Sequence, residues 1–440
     1  MARRKRREPE TGQVAGVTHD GRGIVTTTGK KVFVAGALEG ETVTYLRRKS
    51  RRNFDEAELL EIHEASPDRI EARCEAYGRC GGCSLQHVSI DHQRGIREQT
   101  LRDNMERIGR VAPDEWLAPM TGPEWHYRRR ARLAVKDVKG KGRVLVGFRE
   151  RHAPLIADMH RCEVLVEPLD AMLAALSDLI GGLSIRARLP QVEVAVAENA
   201  IALVFRVLDP PTEADNKAFR AFGEERGLRV YLQPGGLDTV AMLYPDSVDE
   251  SLYYTLPEFD IRIDFEPVDF IQVNAAINQR MVHFAVEQLA VGPGDRVYDL
   301  FCGIGNFSLP LARNSGSVLG VEGLDILTAR ASANAASNGL DNVSFRVADL
   351  SKIDGTEQWV RAGCDRMLLD PARSGAQEVV SRMNLFRPQR IVYVSCHPGT
   401  LARDAGILVH EQGYRLESAG IIDMFPHTAH VESIALFTKA

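Results

Sequence analysis

Residues 297–308 read Val-Tyr-Asp-Leu-Phe-Cys-Gly-Ile-Gly-Asn-Phe-Ser, an apolar run carrying Asp299 that gives way to Gly303 and Gly305. A helical pattern with Leu309, Leu311 and Ala312 follows. This is the order strand, tight turn, helix N-terminus. Glycine is needed where the backbone must pass close to a bound molecule, because a Cβ would block the approach. Ser308 stands where a third glycine would complete a pyrophosphate-binding fingerprint, which argues against a dinucleotide. On this loop alone, a buried strand followed by an ordinary glycine turn stays open as the plainer reading.

The surrounding chain narrows the choice. Five strand-like runs, Arg296–Phe301, Val318–Val321, Val343–Val347, Arg366–Leu369 and Ile391–Val394, are separated by helical patterns. Such alternation predicts an α/β fold with a parallel, doubly wound, Rossmann-like sheet. Ahead of it, Phe270-Ile-Gln-Val-Asn274 leads into a helix with Ile277, Met281 and Phe284 on one face and Asn274 as its N-cap. Each strand ends in polar residues: Asp299 to Asn306, Glu322, Asp349, Asp370-Pro-Ala-Arg373 and Ser395-Cys-His-Pro398. Ligands in these sheets sit outside the carboxyl ends of the strands, so these residues should share one crevice.

Asp-x-x-x-Gly-x-Gly resembles the S-adenosylmethionine loop of Rossmann-like methyltransferases. Glu322, nineteen residues after Gly303, is then placed to accept the ribose hydroxyls, and Asp349 to meet the adenine amino group. Asp370 falls where donor methyl and acceptor meet. Cys396 lies just past a buried strand in a polar cleft, which suits a nucleophile; Cys302 and Cys364 read as inert core thiols. A thiol has a use here. Carbon 5 of uracil is a weak nucleophile until a thiolate adds to carbon 6, and a base must afterwards remove the carbon 5 proton. Glu432 is a carboxylate available for that step, with His427 and His430 as rivals.

At 440 residues, two or three domains are expected. No apolar run is long enough to span a bilayer and the N-terminus lacks a signal-peptide core, so a cytoplasmic protein is expected. The net charge of −5 conceals an asymmetry. Residues 1–53 carry 13 Lys/Arg against 5 Asp/Glu, and residues 125–151 carry 10 against 2, +8 in each case. Two basic segments on an otherwise acidic chain suggest a polyanionic partner.

Residues 1–10 read as a disordered basic tail. From Thr11 to about Ser66, short strands and glycine turns suggest a small OB-type barrel whose Lys/Arg surplus suits a phosphate backbone. Cys74, Cys80 and Cys83 place three thiols within ten residues, with Cys162 as a distant fourth. They can wrap zinc or a [4Fe–4S] cluster, and spacing alone does not choose between them. Residues 90–111 read as an amphipathic helix, and a strand-rich region runs on to about Asp264. Within it, Tyr127 and Arg128, Arg129, Arg130 and Arg132 mix an aromatic with guanidinium groups, a pattern that can stack on bases and grip phosphates.

In combination these motifs are specific. Cys-x5-Cys-x2-Cys with a distant Cys, Phe-x-Gln-x-Asn, Asp-Leu-Phe-Cys-Gly-x-Gly-Asn, Asp-Pro-x-Arg, Ser-Cys-x-Pro and a terminal His-x-Glu together resemble the RNA uracil-C5 methyltransferase family. The likeness is to the bacterial type that carries a TRAM barrel and an iron–sulfur cluster and modifies uridine 1939 of 23S ribosomal RNA. The resemblance implies Cys74, Cys80, Cys83 and Cys162 as [4Fe–4S] ligands. It implies Gln272, Phe301, Asn306, Glu322, Asp349 and Asp370 as S-adenosyl-L-methionine contacts, with Cys396 as nucleophile and Glu432 as general base. One departure is visible: His397 stands where the family commonly has asparagine, so a hydrogen bond beside the nucleophile should differ. The implied organisation is a TRAM-like barrel at 11–68, a central iron–sulfur and β-rich RNA-binding domain at 69–265, and a methyltransferase domain at 266–440. A monomer acting on 23S ribosomal RNA, through a single-stranded or flipped uridine, is expected. The alternatives are a sister enzyme for another uridine in ribosomal or transfer RNA, an iron–sulfur oxidoreductase, or a non-catalytic RNA-binding protein.

Overall fold

The computed structural model describes residues 8–440 except 19, 28 and 152, so the first seven residues of the expected tail lie outside the described residues. Glu10 already belongs to the first strand. The chain divides into two compact units. One comprises Met1–Thr100, Arg149–Ala157 and Phe425–His430; the other comprises Leu101–Phe148, Asp158–Met424 and Val431–Ala440. No helix among the described residues is long and apolar enough to cross a membrane.

In the first unit, five strands, Glu10–Val17, Arg22–Val25, Lys31–Ala35, Thr42–Ser50 and Phe54–Glu64, form a closed barrel. Closure comes from the first strand, which pairs antiparallel with both the second and the fourth. Alternation along the strands turns Val14, Val25, Val32, Val34, Val43, Tyr45 and Ala57 inward as the barrel core. Beyond the barrel lies the cysteine loop. It is tied down by the backbone carbonyl of His427, which accepts from the amides of Ser84 and Leu85 at 2.9 and 3.0 Å.

The second unit holds an eight-stranded sheet in the order 343–347, 317–322, 296–300, 366–369, 390–395, 432–439, 414–422, 115–116. The five expected strands pair in parallel with one another. The sequence pattern did not reveal the rest. Glu432–Lys439 is inserted antiparallel between Arg390–Ser395 and Tyr414–Ile422, and Glu115–Trp116 adds a short parallel edge. A second sheet of six strands occupies Arg130 to Tyr244. That region also contains the helices Met172–Gly182 and Glu213–Arg226. The latter is started by a capping box in which Thr212 and Asp215 bond reciprocally.

Helix Ile90–Asn104 continues as a π-helical turn, Met105–Gly109, with Leu101 and Met105 in the core beside the eight-stranded sheet. Gly109 meets the helix Pro398–His410 so closely that a Cβ would overlap the Ala402 carbonyl. His410 Nε2 lies 3.1 Å from the Gly109 oxygen. Gly406 completes the contact, since a Cβ there would fall 2.8 Å from that same oxygen.

Candidate active site

The glycine loop leaves strand Arg296–Leu300 through Phe301, whose φ is +68°, and turns at Gly303 and Gly305 with φ of +54° and +98°. Positive φ at the two glycines explains the residue choice, because a Cβ is strained there. The amides of Phe301 and Cys302 donate to the Val321 carbonyl, and the amide of Gly303 donates to Glu322 Oε2 at 3.2 Å. Glu322 Oε1 accepts from the Gly323 amide at 2.7 Å. The carboxylate is thereby held at the end of its strand, facing the loop.

Two features of this loop fit S-adenosylmethionine. A Cβ built on Gly303 would meet nothing within 4 Å, so the backbone there is open to a ligand. Asp299 is fully buried, and its Oδ1 has no hydrogen-bond partner among the described residues, while Oδ2 accepts from Ser308 Oγ at 2.5 Å. Burial pushes the Asp299 carboxyl up to about 7. A donor brought by a ligand would relieve both the orphaned acceptor and the desolvated charge.

Asn306 is anchored from two sides. Its Oδ1 accepts from the Tyr254 hydroxyl at 2.9 Å and from Asn278 Nδ2 at 3.0 Å, and its own Nδ2 donates to Asn278 Oδ1 at 2.9 Å. Asn278 sits one turn into the helix Ala275–Leu289, which Asn274 caps by accepting from the Ile277 amide at 3.3 Å. Asn278 and Tyr254 were missed from the sequence. A buried asparagine within an apolar helical face was the only signal for the first.

For Arg129 and Arg130 the expected phosphate grip requires a correction. Instead of projecting toward a phosphate backbone, Arg129 is buried, donating from Nε to the Gln272 carbonyl at 2.9 Å and stacking 4.7 Å over the Tyr254 ring. Its amide donates to the Val273 carbonyl. Arg130 bonds the Pro267 carbonyl at 2.6 Å and Glu193 at 3.2 Å; Arg132 also pairs with Glu193, at 2.9 Å. Arg128 donates to the Arg130 carbonyl. Arg130 and Arg132 neutralise the buried Glu193 carboxylate, Arg129 fixes the segment that carries the half-buried Gln272, and the Arg132 side chain stays exposed. Aromatic stacking is real, but its partner is Tyr254.

Asp349 follows the edge strand and is exposed. Its carboxylate accepts from the Ser351 amide and hydroxyl and pairs with Lys352 at 2.7 Å. The Lys352 bond leads in holding it well down, to about 2.

At the other side of the crevice, Ser395 and Ser433 are register partners on neighbouring antiparallel strands, so Cys396 and Glu432 leave the sheet side by side. Ser433 Oγ donates to the Ser395 carbonyl at 3.3 Å, and the His397 amide donates to Ser395 Oγ at 3.2 Å, pinning the turn that carries Cys396. Burial, then the charges of Glu432 and Asp370, push the Cys396 thiol up to about 11; Arg373 opposes them. Burial, then Asp370, raises Glu432 to about 8, and burial raises Asp370 to about 7. Asp370 disfavours charge on both Cys396 and Glu432, and Glu432 disfavours it on Cys396, which makes the three a constellation of proton-handling groups. The rivals differ: His427 is buried with its amide donating to Gln93 Oε1, and His430 packs on Phe425. Cys302 and Cys364 are buried, with thiols raised by burial.

His397 makes the bond its position requires. It caps the helix Pro398–His410, with Nδ1 accepting from the Thr400 amide at 3.2 Å. In the cysteine loop, Cys80 Sγ accepts from the Gly82 amide at 3.4 Å, Cys74 lies close enough for its charge to act on Cys80, and the Cys74 amide donates to Gln86. Amide-to-sulfur bonds of this kind suit a thiolate ligand. Cys162 is buried, its amide bonded to the Asp170 carbonyl.

Known proteins place this arrangement. The model of the tRNA (uracil-5-)-methyltransferase family matches residues 118–440. The 23S rRNA (uracil(1939)-C(5))-methyltransferase RlmD of Methylococcus capsulatus is 50% identical over 432 residues, spanning 98% of this chain and 97% of that protein. The enzyme of the same name from Alkalilimnicola ehrlichii is 50% identical over 442 residues, spanning 100% and 99%. The crystal structure of Pyrococcus abyssi tRNA (uracil-54, C5)-methyltransferase in complex with S-adenosyl-L-homocysteine has the same fold, with a TM-score of 0.74 at 22% identity, covering 98% of this chain and 100% of that one. The chain belongs to the tRNA (uracil-5-)-methyltransferase family.

Proposed function

We propose that the protein methylates carbon 5 of a uridine in 23S ribosomal RNA, at position 1939, the target in the names of its full-length relatives. The observation that carries this reading is that Cys396 and Glu432, next to the register partners Ser395 and Ser433, come within electrostatic reach at the carboxyl edge of a sheet whose glycine loop fits S-adenosylmethionine. The bound sulfonium supplies the methyl group. Cys396 gives up its proton and its sulfur bonds carbon 6 of the uracil, which leaves carbon 5 electron-rich. After carbon 5 takes the methyl, Glu432 removes the proton from it, the carbon 6–sulfur bond breaks to restore the ring double bond with its electron pair leaving on sulfur, and the Cys396 thiolate takes the proton back from Glu432. A carboxylate raised to about 8 is a stronger proton acceptor than an ordinary one, as that step needs. Asp299, Asn306, Glu322, Asp370, Gln272 and Phe301 hold the cofactor, with Asp349 at the adenine end.

Cys74, Cys80, Cys83 and Cys162 are read as ligands of a [4Fe–4S] cluster with a structural role, and the closed barrel as an RNA-binding TRAM module. The three-part division at 68 and 265, a cytoplasmic location and a monomeric state belong to the same reading. Transfer of labelled methyl from S-adenosylmethionine to a 23S fragment containing uridine 1939 tests it. Incorporation is expected with that uridine and none with cytidine in its place; methylation of both would overturn the assignment.

A further inference from the structure

Strand alternation that turns Val25, Val32, Val34 and Ala57 into the barrel core turns Arg22, Phe33 and Phe54 to the outside. The two phenylalanine rings are stacked there, centroids 4.7 Å apart at 27°, and remain partly exposed. The Arg22 guanidinium lies 5.0 Å from the Phe33 centroid and 6.0 Å from that of Phe54. Lys31 is the register partner of Phe54, while Lys49 and Arg52 belong to the adjoining hairpin. All three cations are exposed and make no ion pair among the described residues. The neighbouring acids are neutralised locally: Glu56 pairs with Arg51, Asp55 with Arg47 and Asp20 with Arg22.

Deepening the reading of the barrel as an RNA-binding module, on which this rests, we propose that Phe33 and Phe54, edged by Arg22, form a ledge on which an unpaired RNA base stacks while Lys31, Lys49 and Arg52 meet the flanking phosphates. Large rings on the water side of a small barrel contribute nothing to its core. An aromatic face beside unneutralised cations is complementary to a base with its phosphates, and a paired base would hide the face that must stack. The occupant is therefore single-stranded RNA.

The full-length protein is titrated with a labelled single-stranded 12-nucleotide RNA and with a blunt RNA duplex, across a range of salt. Phe33→Leu/Phe54→Leu, which keeps apolar cover but removes the aromatic faces, should weaken single-strand binding roughly 5- to 100-fold with an unchanged salt slope. Lys31→Ala/Lys49→Ala/Arg52→Ala should lower the slope by about 2. Phe33→Trp keeps the platform, and the fluorescence of its added indole should be quenched by the single strand. Absence of quenching overturns the ledge, even where the leucine variant folds poorly. Equal losses on duplex and single strand also overturn it, in favour of a phosphate grip. The ledge and the catalytic reading fail separately, since quenching of the added indole needs no methyl transfer and methyl transfer needs no quenching.

Discussion

The carboxamides of Asn278 and Asn306 face each other in a reciprocal pair, each donating to the other at 3.0 and 2.9 Å. The first is on a helix and the second on the cofactor loop, so the pair fixes the loop without touching the strand it leaves. Asn278→Ala should leave half of the pair unsatisfied, lowering stability by about 1–3 kcal/mol. It should also weaken binding of S-adenosylhomocysteine about tenfold, a loss of the size expected for one displaced loop contact. Calorimetric titration checks this; unchanged affinity would mean the loop is held by other bonds.

Nucleophile and base should separate cleanly by mutation. Cys396→Ala is expected to abolish methyl transfer while retaining cofactor binding, because in the proposed mechanism the thiol attacks the RNA. Glu432→Gln should let the adduct form and stall, giving a protein–RNA species that survives denaturing electrophoresis. Appreciable turnover by Cys396→Ala would remove the covalent route.

Glu432 has a folded-state carboxyl raised from 4.5 to about 8. Between those values the unfolded chain sheds a proton that the folded protein keeps, so stability falls as pH rises through that window and levels off above it. Glu432→Gln removes the penalty. Its gain over the parent in urea unfolding should be near zero at pH 4 and a few kcal/mol at pH 8. A gain that shrinks with rising pH would contradict the raised carboxyl.

How much of this was legible depends on where each residue's partner lies in the chain. Asp299, Gly303, Glu322, Asp370 and Cys396 announce themselves because a parallel sheet delivers its strand ends to one edge, and each end is a short contiguous motif. Arg129 and Arg130 misled because charge density carries no record of what lies opposite. Their partners, Glu193 and the Gln272 and Pro267 carbonyls, are 63 to 143 residues away. Asn278 was silent for a similar reason. The terminal hairpin was missed because its central runs, Ser418 to Ile422 and Ser433 to Phe437, are buried at every position and so lack the alternation that marks a strand.

That correction carries its own test. Arg129→Met should cost about 2 kcal/mol of stability through the lost Gln272 bond and the lost stacking on Tyr254. It should leave the salt slope of RNA binding unchanged, since no phosphate contact disappears. A slope reduced by about 1 would restore the phosphate role.

For the metal, anaerobic purification should give a brown protein with about four iron and four sulfide per chain. Cys162→Ser should lower the iron content. Stoichiometric zinc without sulfide would replace the assignment.

The placement of Glu432–Lys439 between two strands that both precede it in the chain has a consequence for synthesis. As the polypeptide leaves the ribosome, Arg390–Ser395 and Tyr414–Ile422 emerge first and must wait, unpaired with each other, for the strand that belongs between them. A chain interrupted before residue 432 carries Cys396 but neither Glu432 nor the strand that closes the sheet. Completion of the sheet and the meeting of Cys396 with Glu432 are thus the same late event.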